Sequence, residues 1–256
     1  MEQTENPPGP GGGAPGGTAL IEELLPAPHR VAEAFGDPAG PVPLFAEEER
    51  YVARAVPGRR REFATTRACA RAALARLGEV PGPIPRDPRG APVWPASTVG
   101  SMTHCAGYRA AVVARSDVVR AVGLDAEPNQ PIGGGGGALR MITNRQERSH
   151  LAELASADPR VCWDRLLFSA KESVYKAWYP LTGGWLGFED VTVTFDLPSR
   201  SFTADLTPPG HPAGRPAATG FRGLWTVRRG LVLTAVSVPA ASPVPSPTRP
   251  PGRTAP

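Results

Sequence analysis

The chain is poor in cysteine: Cys69, Cys105 and Cys162 are an odd number, widely spaced, in 256 residues. That pattern excludes a disulfide framework and makes a reducing compartment the expected setting. No run of about 18 apolar residues occurs, so no membrane-spanning helix is expected. The N-terminus has neither a basic start nor an apolar segment, the two parts of a secretory signal, so a cytoplasmic location is expected. Net charge is small, 28 basic groups against 24 acidic, or +4. The basic residues are mostly arginine and cluster between Arg54 and Arg76 and near the C-terminus. An arginine cluster beside a helix suits bidentate pairing with phosphate oxygens; contact with nucleic acid or a membrane surface is the competing reading.

What the chain has in excess is glycine and proline, 29 and 32 residues, distributed unevenly. Residues 1–18 and 239–256 consist largely of Gly, Pro and small polar residues. Neither stretch can bury enough apolar surface to offset its ordering entropy, so both read as disordered tails around a folded part at 19–238.

The most informative stretch is Trp163 to Leu181, WDRLLFSAKESVYKAWYPL. At about 100° per residue, Trp163, Leu166, Leu167, Ala170, Val174, Ala177 and Trp178 form one apolar stripe, which predicts a helix with one side in a core. Glu172 and Lys176, four residues apart, are neighbours on the opposite side. Phe168, Tyr175 and Tyr179 share that side, and three aromatics there imply a ligand or a second lobe covering it. The bland alternative is an exposed i,i+4 ion pair.

Upstream, Val118 to Leu124 reads as a strand that ends before Pro128. Asp125 and Glu127, two residues apart, project from one face of it. Two carboxylates so placed repel unless a cation lies between them, and oxygen ligands suit Mg²⁺. A solvated strand end followed by a proline turn is the alternative.

The remaining pattern has a helix at Glu62–Leu77 with Gly78 as its left-handed cap. Ala110–Ala114 and Val118–Leu124 look like a hairpin around Arg115–Asp117. A strand at Val191–Phe195 precedes a second hairpin, Gly223–Val227 with Leu231–Val238. Helices followed by antiparallel strands indicate an α+β fold. The five glycines Gly133–Gly137 lack a following G-K-[ST] and read as a flexible connector rather than a phosphate loop.

GLDAE (123–127) followed by WDRLLFSAKESVYKAW (163–178) resembles the two defining motifs of the 4′-phosphopantetheinyl transferases, in their surfactin- and enterobactin-type branch. RRREFATTRACARAALARLG (59–78) and VGSMTHCAGYRAAVVA (99–114) resemble two further motifs, and the resemblance runs from about residue 20 to residue 238. It implies a pseudo-twofold pair of similar lobes, each a helix on antiparallel strands, with the active site between them. The lobes are then expected at 19–127 and 128–238, in a monomer that is internally a pseudo-dimer. It implies transfer of the phosphopantetheine arm of coenzyme A to a serine of apo acyl or peptidyl carrier proteins, with Mg²⁺, releasing 3′,5′-ADP. Asp125, Glu127 and Glu172 are then the metal ligands, with Asp125 also at the coenzyme. Glu172 is the general base, and Lys176 faces the transferring or leaving phosphate. Arg59 and Arg67 (with Arg86 and Arg89 weaker candidates), Ser101, Thr103, His104 and Lys171 are the coenzyme contacts. On this reading the arginines meet a nucleotide's phosphate, and neither nucleic acid nor a membrane is a partner. A non-catalytic basic module binding coenzyme A or nucleic acid is the alternative, but such a module has no use for Glu172 beside Lys176. A cysteine–histidine acyltransferase built on His104 and Cys105 is disfavoured, because adjacent strand residues point to opposite faces.

Overall fold

A computed structural model describes residues 19–133, 135–207 and 220–240. The expected tails therefore lie outside the described residues, apart from Pro239 and Ala240. The chain runs α1 (Leu20–Leu24), β1 (Arg30–Phe35), α2 (Ala46–Glu49), α3 (Pro57–Arg76), β2 (Thr98–Cys105), β3 (Tyr108–Arg115) and β4 (Val119–Pro128). It continues through α4 (Gly135–Ile142), α5 (Arg145–Ala157), α6 (Trp163–Thr182), β5 (Val191–Asp196), β6 (Ser201–Leu206), β7 (Gly220–Arg228) and β8 (Leu231–Pro239). The fold is α+β, as the sequence predicts, with every strand pairing antiparallel. Among the described residues no helix is long and apolar enough to cross a membrane.

The strands form two sheets, ordered β1-β3-β2 and β4-β8-β7-β6-β5. β3 and β4 are therefore not a hairpin. The chain crosses from one sheet to the other between Arg115 and Val119, while β3 turns back on β2 across Ala106-Gly107, with Cys105 opposite Tyr108. β4 pairs instead with β8, Leu124 opposite Ala235. The second expected hairpin is present: β7 and β8 pair around Arg229 and Gly230, whose φ values of 52° and 72° match the mirror-image turn that strand twist favours.

The layers follow from which face each strand residue takes. Ala111 and Val113 of β3 pack with Ala70, Ala73 and Leu74 of α3. Ala110, Val112 and Ala114, on the other face, pack with Val122, Leu124 and Ala126 of β4 and with β8. α6 covers the far face of the five-stranded sheet, with all seven residues of its predicted stripe buried. The order is thus α3, three-stranded sheet, five-stranded sheet, α6. Each sheet carries one helix of 20 residues, but three strands face five, so the similarity of the halves holds only in outline.

α3 begins at Pro57, five residues before the predicted start, because proline's fixed φ suits the first helical turn, where its missing N–H costs nothing. Its end is as expected: Gly78 is left-handed at φ 87°, and the N–H groups of Gly78 and Glu79 close on the Ala75 and Leu74 carbonyls. The glycine run differs from the expected connector, since α4 starts at Gly135; Gly134 is outside the described residues.

Both edges of the five-stranded sheet are satisfied by side chains. At β4, the N–H groups of Leu124 and Ala126 donate to Ser101 Oγ (3.0 Å) and Thr103 Oγ1 (3.1 Å) of β2. At β5, the N–H groups of Val193 and Phe195 donate to Glu147 Oε1 (2.9 Å) and His150 Nε2 (3.1 Å) of α5. Asn144, which caps α5, also donates to Thr192 Oγ1.

Candidate active site

Gly123 decides how closely α6 approaches β4. A Cβ at Gly123 would lie 1.8 Å from the Ser173 carbonyl oxygen and 2.9 Å from the Ala177 nitrogen. Only glycine leaves room for a helix backbone that near. The contact sets Glu172 and Lys176 of α6 beside Asp125, two residues along the same face of β4. Lys176 Nζ donates to Asp125 Oδ1 (2.7 Å) and to the Leu124 carbonyl (3.0 Å).

Thr103 completes the hold on Asp125, donating to Oδ1 at 3.2 Å while accepting the Ala126 N–H. Asp125 Oδ2 is buried and has no hydrogen-bond partner. Glu127 pairs with Arg165 at 3.2 Å. Its carboxyl is pushed above the usual range by burial and by the charge of Asp125, with Arg165 opposing. Glu172 is raised chiefly by burial, and further by Asp125, while Lys176 pulls it down. The charge of Asp125 thus makes Glu127 and Glu172 harder to ionise around one ammonium. Oxygen donors with an unused buried lone pair fit a hard divalent cation in chemistry. Among the described residues, however, no three such side chains already converge as a metal set, and Lys176 stands nearest Asp125.

A cleft of about 320 Å³ opens beside this cluster. One wall is α6, through Glu172, Tyr175, Lys176 and Tyr179; the opposite wall comes from α3, β2 and the loop 86–94. The predicted aromatic face of α6 is therefore covered, although Phe168 packs on Phe188 instead (5.8 Å between centroids). The loop is fastened across the cleft: Tyr179 donates to Asp87 Oδ2 (2.5 Å) and Arg89 to the Gly183 carbonyl (2.9 Å).

Arg59, Arg67, Arg86, Ser101 and His104 all line the cleft, as does Arg89. Arg59 donates to Glu62 (2.6 Å) and to His104 Nε2 (2.7 Å). A guanidinium only donates, so Nε2 is the acceptor and this imidazole is neutral. Burial, then the nearby Arg59 charge, holds its pKa below the ordinary histidine value. Arg67 and Arg86 both lie over Phe63, 4.7 and 5.0 Å from its centroid. Burial pushes Arg67 down to about 10, so it stays cationic at neutral pH. Its Nε is buried without a hydrogen-bond partner, and its nearest carboxylate, fully buried Glu48, is 3.8 Å away.

Two predicted coenzyme contacts are placed elsewhere. Lys171, next in sequence to Glu172, is rotated toward α5 and buried in an ion pair with Glu147 and a bond to the Phe188 carbonyl (2.8 Å). Thr103 is buried and spends its hydroxyl on β4 and Asp125 rather than on the cleft. Ser101 lines the cleft, but its oxygen already accepts the Leu124 N–H. Cys105 is buried and pushed up to about 12, chiefly by burial, which removes it as a nucleophile. Sequence reasoning did not single out Glu48, Glu62, Asp87 or the close contact at Gly123. Glu48, Asp87 and Gly123 depend on partners distant in sequence, and Glu62 adds His104 and Arg109, each at 3.7 Å, to its neighbour Arg59.

The Thr103 hydroxyl is testable on its own. Thr103→Val keeps the shape but leaves the Ala126 N–H unsatisfied, and should cost about 1–3 kcal/mol in denaturant unfolding. Thr103→Ser should recover most of that loss.

Known proteins match the chain over most of its length. Residues 47–114 match the family described as 4′-phosphopantetheinyl transferase N-terminal domain, and residues 121–227 match the 4′-phosphopantetheinyl transferase superfamily. The chain is 52% identical over 223 residues to 4′-phosphopantetheinyl transferase Svp of Streptomyces mobaraensis, covering 86% of this chain and 90% of that one. It is 46% identical over 225 residues to PptT of Mycobacterium tuberculosis, covering 85% and 97%. It is 42% identical over 227 residues to Npt of Nocardia iowensis, covering 85% and 99%.

Proposed function

Because the chain belongs to the 4′-phosphopantetheinyl transferase superfamily and is an enzyme of that kind, we propose that coenzyme A is its donor and that a serine hydroxyl of an apo acyl or peptidyl carrier protein is its acceptor. The serine oxygen forms a bond to the β-phosphorus of coenzyme A, the bond to the leaving phosphate oxygen breaks, and 3′,5′-ADP departs. The enzyme acts as a monomer. Its two lobes divide at the crossover between β3 and β4, ahead of the boundary at residue 127.

The observation that carries this reading is the cluster where β4 meets α6: Asp125 with an unused buried oxygen, Glu127, Glu172 and Lys176. Asp125, Glu127 and Glu172 would hold Mg²⁺, which when bound neutralises pyrophosphate charge as a Lewis acid. Glu172, which lines the cleft, takes the serine proton as general base. Lys176 faces the departing phosphate from one turn further along α6. Arg59, Arg67, Arg86, Ser101 and His104, which all line the cleft, receive the nucleotide end.

The test is incubation with coenzyme A, Mg²⁺ and a panel of apo carriers, scored by intact mass. Wild type should add one phosphopantetheine per carrier, and chelation should stop the reaction. Asp125→Ala and Glu127→Ala should each lose most of the activity with the fold intact, because each change removes a repulsion along with a ligand. Wild-type rates in both variants would remove this pair from the metal site.

A further inference from the structure

We infer that Lys176 is a placeholder cation: in the ligand-free protein its ammonium fills the place beside Asp125 that a divalent cation takes in the working enzyme, and metal loading releases the lysine into the cleft. The inference rests on the Mg²⁺ reading above and deepens it.

Three observations carry it. Lys176 Nζ bonds Asp125 Oδ1 at 2.7 Å and the Leu124 carbonyl at 3.0 Å, and oxygen lone pairs serve an ammonium and a hard cation alike. The lysine does not satisfy the site, since Asp125 Oδ2 stays buried and without a partner. The charges are also unequal: Asp125, Glu127 and Glu172 face Lys176 and Arg165, the arginine being taken by Glu127 at 3.2 Å. A cluster one positive charge short gains more from a dication than from an ammonium. The same exchange explains why the carboxylates do not already converge as a metal set: the lysine occupies the position they would close on. Lys176 also has somewhere to go, because its side chain is 26% exposed and lines the cleft. One displacement thus assembles both halves of the chemistry, the metal on the carboxylates and the ammonium toward the phosphates.

The experiment is Mn²⁺ titration of the ligand-free full chain, followed by electron paramagnetic resonance of the free ion. Lys176→Met should bind Mn²⁺ at least about fivefold more tightly than wild type, the lower end of ordinary coupling between competing ligands. The charge-retaining Lys176→Arg should stay close to wild type, and Asp125→Asn should lose binding. A reciprocal measurement needs no variant: Mn²⁺ should raise the modification of Lys176 by an amine-reactive ester, read by peptide mass spectrometry. Equal or weaker Mn²⁺ binding by folded Lys176→Met, or unchanged labelling of wild type, would overturn the exchange and leave the metal site standing. No saturable binding by wild type or Lys176→Met, or undiminished binding by Asp125→Asn, would overturn the metal assignment and the exchange with it.

Discussion

Glu172→Gln should slow phosphopantetheine transfer by roughly 10²-fold or more, the scale of losing a general base, while the protein becomes more stable. The amide keeps the size of the carboxylate and its capacity to accept a hydrogen bond, but it cannot take the serine proton. Coenzyme A binding should persist, weakened, because the nucleotide end is held by other residues. The gain in stability follows from the sign of the pKa shift. Burial raises the Glu172 carboxyl in the folded state, with Asp125 adding to the rise. The folded protein therefore binds that proton more readily than the unfolded chain does. Stability from this group is fully present below the unfolded carboxylate value and is lost as pH rises through the folded one. A neutral side chain escapes that loss, so Glu172→Gln should melt higher at neutral pH. Activity should run the other way in wild type, falling as acid protonates Glu172, because Glu172 must be ionised to act. Unchanged turnover in Glu172→Gln would remove the residue from the mechanism; a lower melting temperature would mean its charge is compensated in the folded state.

Gly123→Ala is expected to destabilise the protein by roughly 2–4 kcal/mol, at or beyond the usual range for overpacking, and to abolish most transfer. A methyl group there would meet the Ser173 carbonyl oxygen at 1.8 Å, so helix and strand must separate by more than a side-chain adjustment can absorb. α6 would carry Glu172 and Lys176 away from Asp125, breaking the site and opening the core of the larger sheet together. The colliding atoms belong to helix backbone, so trimming a side chain should not help. Denaturant unfolding and carrier modification should fall together in Gly123→Ala, and Ser173→Ala should rescue neither. Rescue would mean that side chains set the helix–strand distance.

The parts of the molecule legible in the sequence are those fixed by local periodicity. The α6 stripe from Trp163 to Trp178 is buried throughout, because a repeat of 3.6 residues is a property of one helix alone. The i,i+2 placement of Asp125 and Glu127 is local in the same way. The misreadings share a cause. β3 and β4 looked like a hairpin because a short turn separates two apolar runs. Yet β3 is buried on both faces, and β4 finds its partner in β8, more than 100 residues along the chain. Lys171 seemed to share the site of Glu172 through adjacency in sequence. One residue turns a helix by about 100°, and Glu147 on α5 supplied a partner that no local pattern announces. At Gly123 the sequence offers only a small residue in a strand; its meaning lies in the helix backbone against it.

The side chains that close the two edges of the larger sheet also bear on how the chain survives its own synthesis. VTVTF in β5, rich in β-branched residues and without charge, is the kind of segment that recruits other chains when its edge is bare. Here Glu147 and His150 occupy the outward N–H groups of that edge, doing for β5 what a sixth strand would otherwise do. α5 leaves the ribosome before β5 because it precedes it in sequence, so the residues that cover this edge are available when it is made. Aggregation during translation should therefore depend on residues 147 and 150, far from the chemistry.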